Sequence, residues 1–212
     1  VPKRPTTRVQ PRDDRETALA PFHEPVRAWF ERALGKPTRA QALSWGPIAR
    51  GESTLLLAPT GSGKTLAAFL WAIDALMWTT PPSPPSSGKR NISRAPTRTP
   101  QRGIRVLYIS PLKALAVDVQ KNLELPLAGV LEQARQHETV VHEPTVLVRT
   151  GDTTPAERAR MKRHPPDILI TTPESLYLML TSAARTILAD VQTVILDEIH
   201  QLAPTKRGAH LA

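Results

Sequence analysis

Short, nearly unbroken apolar runs alternate along the chain with longer segments in which apolar residues recur every three to four positions. The runs at 54–57, 104–109, 145–148, 167–171 and 191–196 are rich in Val, Ile and Leu and read as buried strands. In the segment 26–34, Val26, Trp29, Phe30, Ala33 and Leu34 fall at helical spacing, and Gly35 supplies a left-handed stop. Thr38 caps a second helix through Ala42, Leu43 and Trp45. Residues 66–78 are apolar nearly all round, as in a helix packed beneath a sheet. Helical character resumes at Ala114. Thr154, Pro155, Ala156 and Glu157 spell a capping box with proline at the first helical position, opening a basic helix through Arg158, Arg160, Lys162 and Arg163. Strands alternating with helices predict an α/β fold with a mostly parallel central sheet, whose ligands collect at the carboxyl ends of the strands. Trp29, Trp45, Trp71 and Trp78 are expected in the core before they are expected to stack on bases.

Composition changes this picture at the margins. The length of 212 residues suits one such domain, and the polar stretch 1–20 predicts a disordered arm ahead of a domain at 21–212. Residues 79–103 carry Lys89, Arg90, Arg94, Arg98 and Arg102 without an acid, more than half of the net charge of +9, among prolines, serines and threonines. That composition predicts a flexible insertion, either a solvated spacer or a contact for nucleic acid. The absence of cysteine excludes disulfides and thiolate metal sites, and the histidines show no ligand spacing, so no zinc site is expected. Neither a secretory apolar segment nor a membrane-length apolar run is legible. The expectation is a cytoplasmic protein without a membrane partner.

Two stretches carry candidate chemistry. Ala58, Pro59, Thr60, Gly61, Ser62, Gly63, Lys64 and Thr65 join an apolar run to a helix, the arrangement of a P-loop. Its glycines let backbone N–H groups turn inward onto phosphate oxygens, beside the positive end of the following helix. Lys64 would reach the β- and γ-phosphates, and Thr65 would hold Mg²⁺ through its hydroxyl. The other stretch, Val194 to His200, is an apolar run ending in two carboxylates. Asp197 would complete the Mg²⁺ shell, and Glu198 would orient and deprotonate an attacking water.

Together these residues resemble the first RecA-like domain of a superfamily 2 helicase of the large helicase-related (Lhr) group. Four blocks carry the resemblance: Pro59 to Thr65 with the following Leu66–Leu70, Ser110 to Leu115, Thr172 to Leu176, and Asp197 to His200. They fall in the order and spacing of motifs I, Ia, Ib and II, and the turn Arg149, Thr150, Gly151, Asp152, Thr153 lies between the second and third. The resemblance implies ATP and Mg²⁺ as cofactors, with Gln41 reading adenine. It also implies that Pro111, Leu112, Lys113, Thr150, Gly151, Thr172, Pro173 and Glu174 line a single-strand track, and that His200 couples the two sites. The implied partner is single-stranded DNA, with RNA or a DNA/RNA hybrid as the alternative, in DNA repair or processing. A second RecA-like domain is expected to supply an arginine finger, since no motif III is legible by residue 212. A non-catalytic nucleotide- or nucleic-acid-binding module is the competing reading.

Overall fold

The computed structural model describes residues 17–59, 61–78 and 103–202. The arm at 1–16, Thr60 and all but the last residue of the insertion expected at 79–103 lie outside the described residues. The chain falls into two units, Val1–Trp71 and Ala72–Ala212, each described here by itself.

In the first unit, helices α1 (Glu24–Leu34) and α2 (Arg39–Ala49) precede α3 (Lys64–Met77), which begins in the P-loop. Aromatic rings hold this unit together. Phe22 stands edge-on to Trp45 and Trp71 at centroid distances of 4.9 and 5.7 Å, and Phe30 meets Trp45 at 5.4 Å. The buried Trp45 indole donates to the Ala67 carbonyl at 3.0 Å, which satisfies its one polar atom. The rings also shorten the expected arm. Thr17–Ala20 form a turn, closed by a 2.9 Å bond from the Ala20 N–H to the Thr17 carbonyl, and bury Ala18 and Leu19 on the way to Phe22.

One expected strand does not form. Residues 54–57 have no ladder partner among the described residues, and Leu55 and Leu57 are 70% and 81% exposed. An apolar run is a strand only where a neighbouring edge takes its N–H and C=O groups, and local pattern cannot supply that edge.

The second unit is built on a parallel sheet in the order β2-β3-β1-β4, with β1 at Val106–Ile109, β2 at Val146–Arg149, β3 at Ile168–Thr171 and β4 at Thr193–Leu196. The inner strands β1 and β3 are buried at every position, whereas β4 at one edge alternates. Each strand starts one or two residues later than its apolar run, and at β1 and β4 the N–H groups at the start converge on single carbonyls. Arg105 and Val106 both donate to Asp167, and Gln192 and Thr193 both donate to Arg105. The core on one face joins Leu107, Ile109 and Leu169 to Met161 of α5 (Pro155–Arg163) and to Leu176 and Met179 of α6 (Pro173–Leu180). The long helix α4 (Lys113–Gln136) packs along β2 and β3 and buries Pro126 at its middle.

At the amino ends of β2 and β3, the buried Asp167 carboxylate locks the pair. One of its oxygens accepts from the Thr145 N–H at 2.9 Å and the Thr145 hydroxyl at 3.0 Å, with His142 Nε2 also at 3.0 Å. The carboxyl ends are thereby left to the turns that begin at Ser110, Thr150, Thr172 and Asp197. Among the described residues no helix is long and apolar enough to cross a membrane.

Candidate functional site

The P-loop turn depends on two glycines in the left-handed region, Gly61 at φ +79° and Gly63 at φ +80°. A Cβ on Gly63 would lie 2.5 Å from Gln41 Nε2, so any side chain there would be strained by the backbone conformation and would displace the Gln41 amide. Lys64 curls over the turn, its ammonium donating to the carbonyls of Ala58 at 2.6 Å and Pro59 at 2.9 Å. The Thr38 hydroxyl donates to the Ser62 carbonyl at 2.8 Å, tying the start of α2 to the loop. Thr65 follows Lys64 in the first turn of α3.

Gln41 is neither surface nor free. It is 3% exposed, its Oε1 accepts from the Thr38 N–H at 2.9 Å, and its Nε2 approaches the Gly63 carbonyl at 3.5 Å. Together with the bond from the Gln41 N–H to the Thr38 hydroxyl, this makes a full capping box. The spacing of Thr38 and Gln41 carried that signal.

In the second unit, β4 delivers Asp197 and Glu198 beyond its last residue. The Asp197 N–H donates to the Ile109 carbonyl at 3.0 Å, which extends the ladder to the first carboxylate. Among the described residues each Asp197 carboxylate oxygen then has one donor, the Glu198 N–H at 2.9 Å on Oδ1 and the Tyr108 hydroxyl on Oδ2. Burial first, then the hydrogen bond to Asp197 and the charge of both carboxylates push the Tyr108 phenol far above its usual range, so it stays protonated and donating. Tyr108 escaped the sequence reading. Its signal is a polar-tipped ring in an otherwise aliphatic buried strand, which needs a partner for its hydroxyl. Glu198 sits at φ +46°, an uncommon backbone for a residue with a side chain, and its Oε2 lies 3.2 Å from Nδ1 of the exposed His200.

The turns after β1, β2 and β3 surround an open groove of about 560 Å³. Pro111, Leu112, Lys113, Thr150, Gly151, Thr172 and Glu174 all line it, whereas Pro173 is buried at the start of α6. Lys113 Nζ donates to Asp152 Oδ1 at 2.6 Å across the mouth. The Thr172 hydroxyl accepts from the Ser175 N–H at 3.5 Å as the cap of α6. Arg149 and Arg158 also line the groove, although the sequence reading used them only as members of a turn and of a basic helix. Thr60 is outside the described residues. The site residues thus gather into a P-loop group in one unit and an acidic turn and a groove in the other.

Residues 38–212 match the family model described as DEAD/DEAH box helicase. The chain belongs to that family. It is 54% identical over 194 residues to the Lhr helicase/probable uracil glycosylase of Mycolicibacterium smegmatis, covering 92% of this chain and 12% of the relative. The Lhr helicase/uracil glycosylase of Escherichia coli is 50% identical over 191 residues, 90% of this chain and 12% of its own length. The chain therefore spans 12% of each of these relatives. The solved structure of Mycobacterium smegmatis helicase Lhr bound to ssDNA and AMP-PNP matches with a TM-score of 0.79 at 52% identity, over 92% of this chain and 22% of that one. The sheet and its flanking helices are those of a RecA-like helicase domain.

Proposed function

We propose that this chain is the ATP-binding domain of an ATP-dependent DNA helicase or translocase, taking ATP with Mg²⁺ and single-stranded DNA. The observation that carries the reading is the convergence of three strand-end turns on one open groove, in a DEAD/DEAH box helicase chain whose P-loop has both of its glycines in the left-handed region. The Lhr structure that it resembles is bound to ssDNA and AMP-PNP.

On this reading Thr60, Gly61, Ser62 and Gly63 wrap the phosphates with backbone N–H groups, Pro59, which has no N–H to give, sets the entry to the turn, and Lys64 leaves the Ala58 and Pro59 carbonyls to meet the phosphates. Gln41 reads adenine, which requires its amide to give up the Thr38 N–H or the Gly63 carbonyl. Thr65 and Asp197 hold Mg²⁺, which neutralises charge on the phosphates when bound. The donors fit a hard cation that keeps much of its water shell, since each Asp197 oxygen accepts a single hydrogen bond among the described residues and an oxygen anion has room for a cation beside it. Glu198 orients and deprotonates the attacking water, and His200, against Glu198, relays its state to the strand side. Contacts in the groove through Pro111, Leu112, Lys113, Thr150, Gly151, Thr172 and Glu174 are to phosphate and sugar, as a motor indifferent to sequence requires, while the buried Pro173 acts only by starting α6 beside them. A second RecA-like domain, a role in DNA repair or processing and a cytoplasmic setting belong to the same proposal.

The test is fluorescence anisotropy of labelled single-stranded DNA with the 212-residue chain, with single-stranded RNA and a DNA/RNA hybrid as parallel arms. Single-stranded DNA is expected to bind most tightly, with an affinity that falls steeply with salt. Tighter binding of RNA would make the motor RNA-directed, and no binding of any strand would leave a nucleotide-binding module.

A further inference from the structure

Two guanidinium groups on the groove, those of Arg149 and Arg158, each keep a buried Nε without a hydrogen-bond partner among the described residues. Arg149 ends β2 and is 7% exposed, yet its Nε finds no hydrogen-bond partner among the described residues. Arg158, one turn into α5, reaches back so that its guanidinium donates to the Gly151 carbonyl at 2.9 Å, and its Nε is likewise buried without a partner. The two are near enough to repel. Burial first and then the charge of Arg158 lower the pKa of Arg149 below its usual value. A buried guanidinium beside a like charge is costly, and a folded chain keeps such a pair where an anion relieves it.

We propose that Arg149 and Arg158 together clasp one backbone phosphodiester of a nucleic-acid strand lying in this groove. The inference rests on reading the groove as the strand interface and adds to it the residues that fix the strand's register. Two planar guanidinium forks match the two non-bridging oxygens of a phosphodiester, which carry its single negative charge. The apolar walls formed by Leu112 and Leu178 offer nothing to a free inorganic anion, but they suit the sugar carbons on either side of a bound phosphate. Arg158 is held in place by the turn after β2 and Arg149 by the strand itself, whose Arg149 carbonyl accepts from the Thr171 hydroxyl at 2.8 Å. The Arg158 side chain and the Arg149 backbone are therefore placed before the strand arrives.

The experiment titrates a fluorescein-labelled oligothymidylate with the 212-residue chain and with R158Q, R149Q and R160Q over a range of salt. Arg160 is exposed on the same helix and is absent from the groove lining, so R160Q removes an equal charge elsewhere. R158Q and R149Q are each expected to weaken binding about 5- to 10-fold and to reduce the log-affinity versus log-salt slope by about 0.7, one phosphate contact on a single strand. R160Q should leave both within about twofold. On an oligomer with neutral methylphosphonate linkages, R158Q and the parent chain should bind equally.

Should R149Q fail to fold, R158Q carries the test alone. An unchanged slope in R158Q, or an equal loss in R160Q, overturns the clasp while the strand interface stands. Should the parent chain bind no strand, the interface reading itself fails. Inorganic phosphate protection that R158Q removes would then assign the pair to a free anion and overturn the proposal.

Discussion

Lys64→Ala is expected to lower affinity for a fluorescent ATP analogue about 100-fold, since a lysine on phosphate makes charge-assisted bonds worth ~1.5–3 kcal/mol each. The fold should not notice. Among the described residues the Lys64 ammonium donates to the carbonyls of Ala58 and Pro59, and the shape of the turn is set by Gly61 and Gly63. Circular dichroism and the melting transition are therefore expected to match the parent chain, and single-strand binding should be retained. Equal nucleotide affinity in the two forms would remove the P-loop assignment.

The second large effect concerns turnover. Helicases of the kind this chain resembles place the reacting nucleotide between two RecA-like domains, with the arginine that stabilises transition-state charge coming from the second. An arginine supplied in this way is worth roughly 10³- to 10⁵-fold in related phosphoryl-transfer systems. The chain spans 12% of the relatives it matches, and with Lys64, Thr65, Asp197 and Glu198 alone it should hold Mg²⁺ and nucleotide but turn over slowly. Single-strand-stimulated phosphate release is to be compared between the 212-residue chain and a version joined to a second RecA-like domain. A gain within that range is expected, and comparable rates in the two would show that the partner domain is not needed.

The parallel sheet was legible because a strand buried on both faces leaves a run of apolar residues that needs no long-range information. That logic located β1 to β4 to within two residues. It misled at 54–57, where the run is as apolar but no edge among the described residues receives it and Leu55 and Leu57 are exposed. The capping boxes at Thr38 and Thr154 are local and could be read from spacing. Contacts between distant residues could not. Tyr108 and Asp197 are 89 residues apart and meet only because β1 and β4 are neighbours. The positive φ of Glu198 has no signature in a residue type that seldom adopts it. Arg149 and Arg158 carry a partial signal, an arginine closing an apolar strand and a second opening a basic helix. Their unpartnered Nε atoms appear only once the groove is built.

Amide hydrogen exchange on the 212-residue chain, with Mg²⁺–AMP-PNP and single-stranded DNA added separately, tests most directly where the ligands sit. The nucleotide should protect residues 61–65 and the acidic turn at Asp197 and Glu198, and the strand should protect the turns at Ser110–Lys113, Thr150–Thr153 and Thr172–Glu174. Protection by the strand confined to the exposed faces of α1 and α2, with the three turns unchanged, would contradict it.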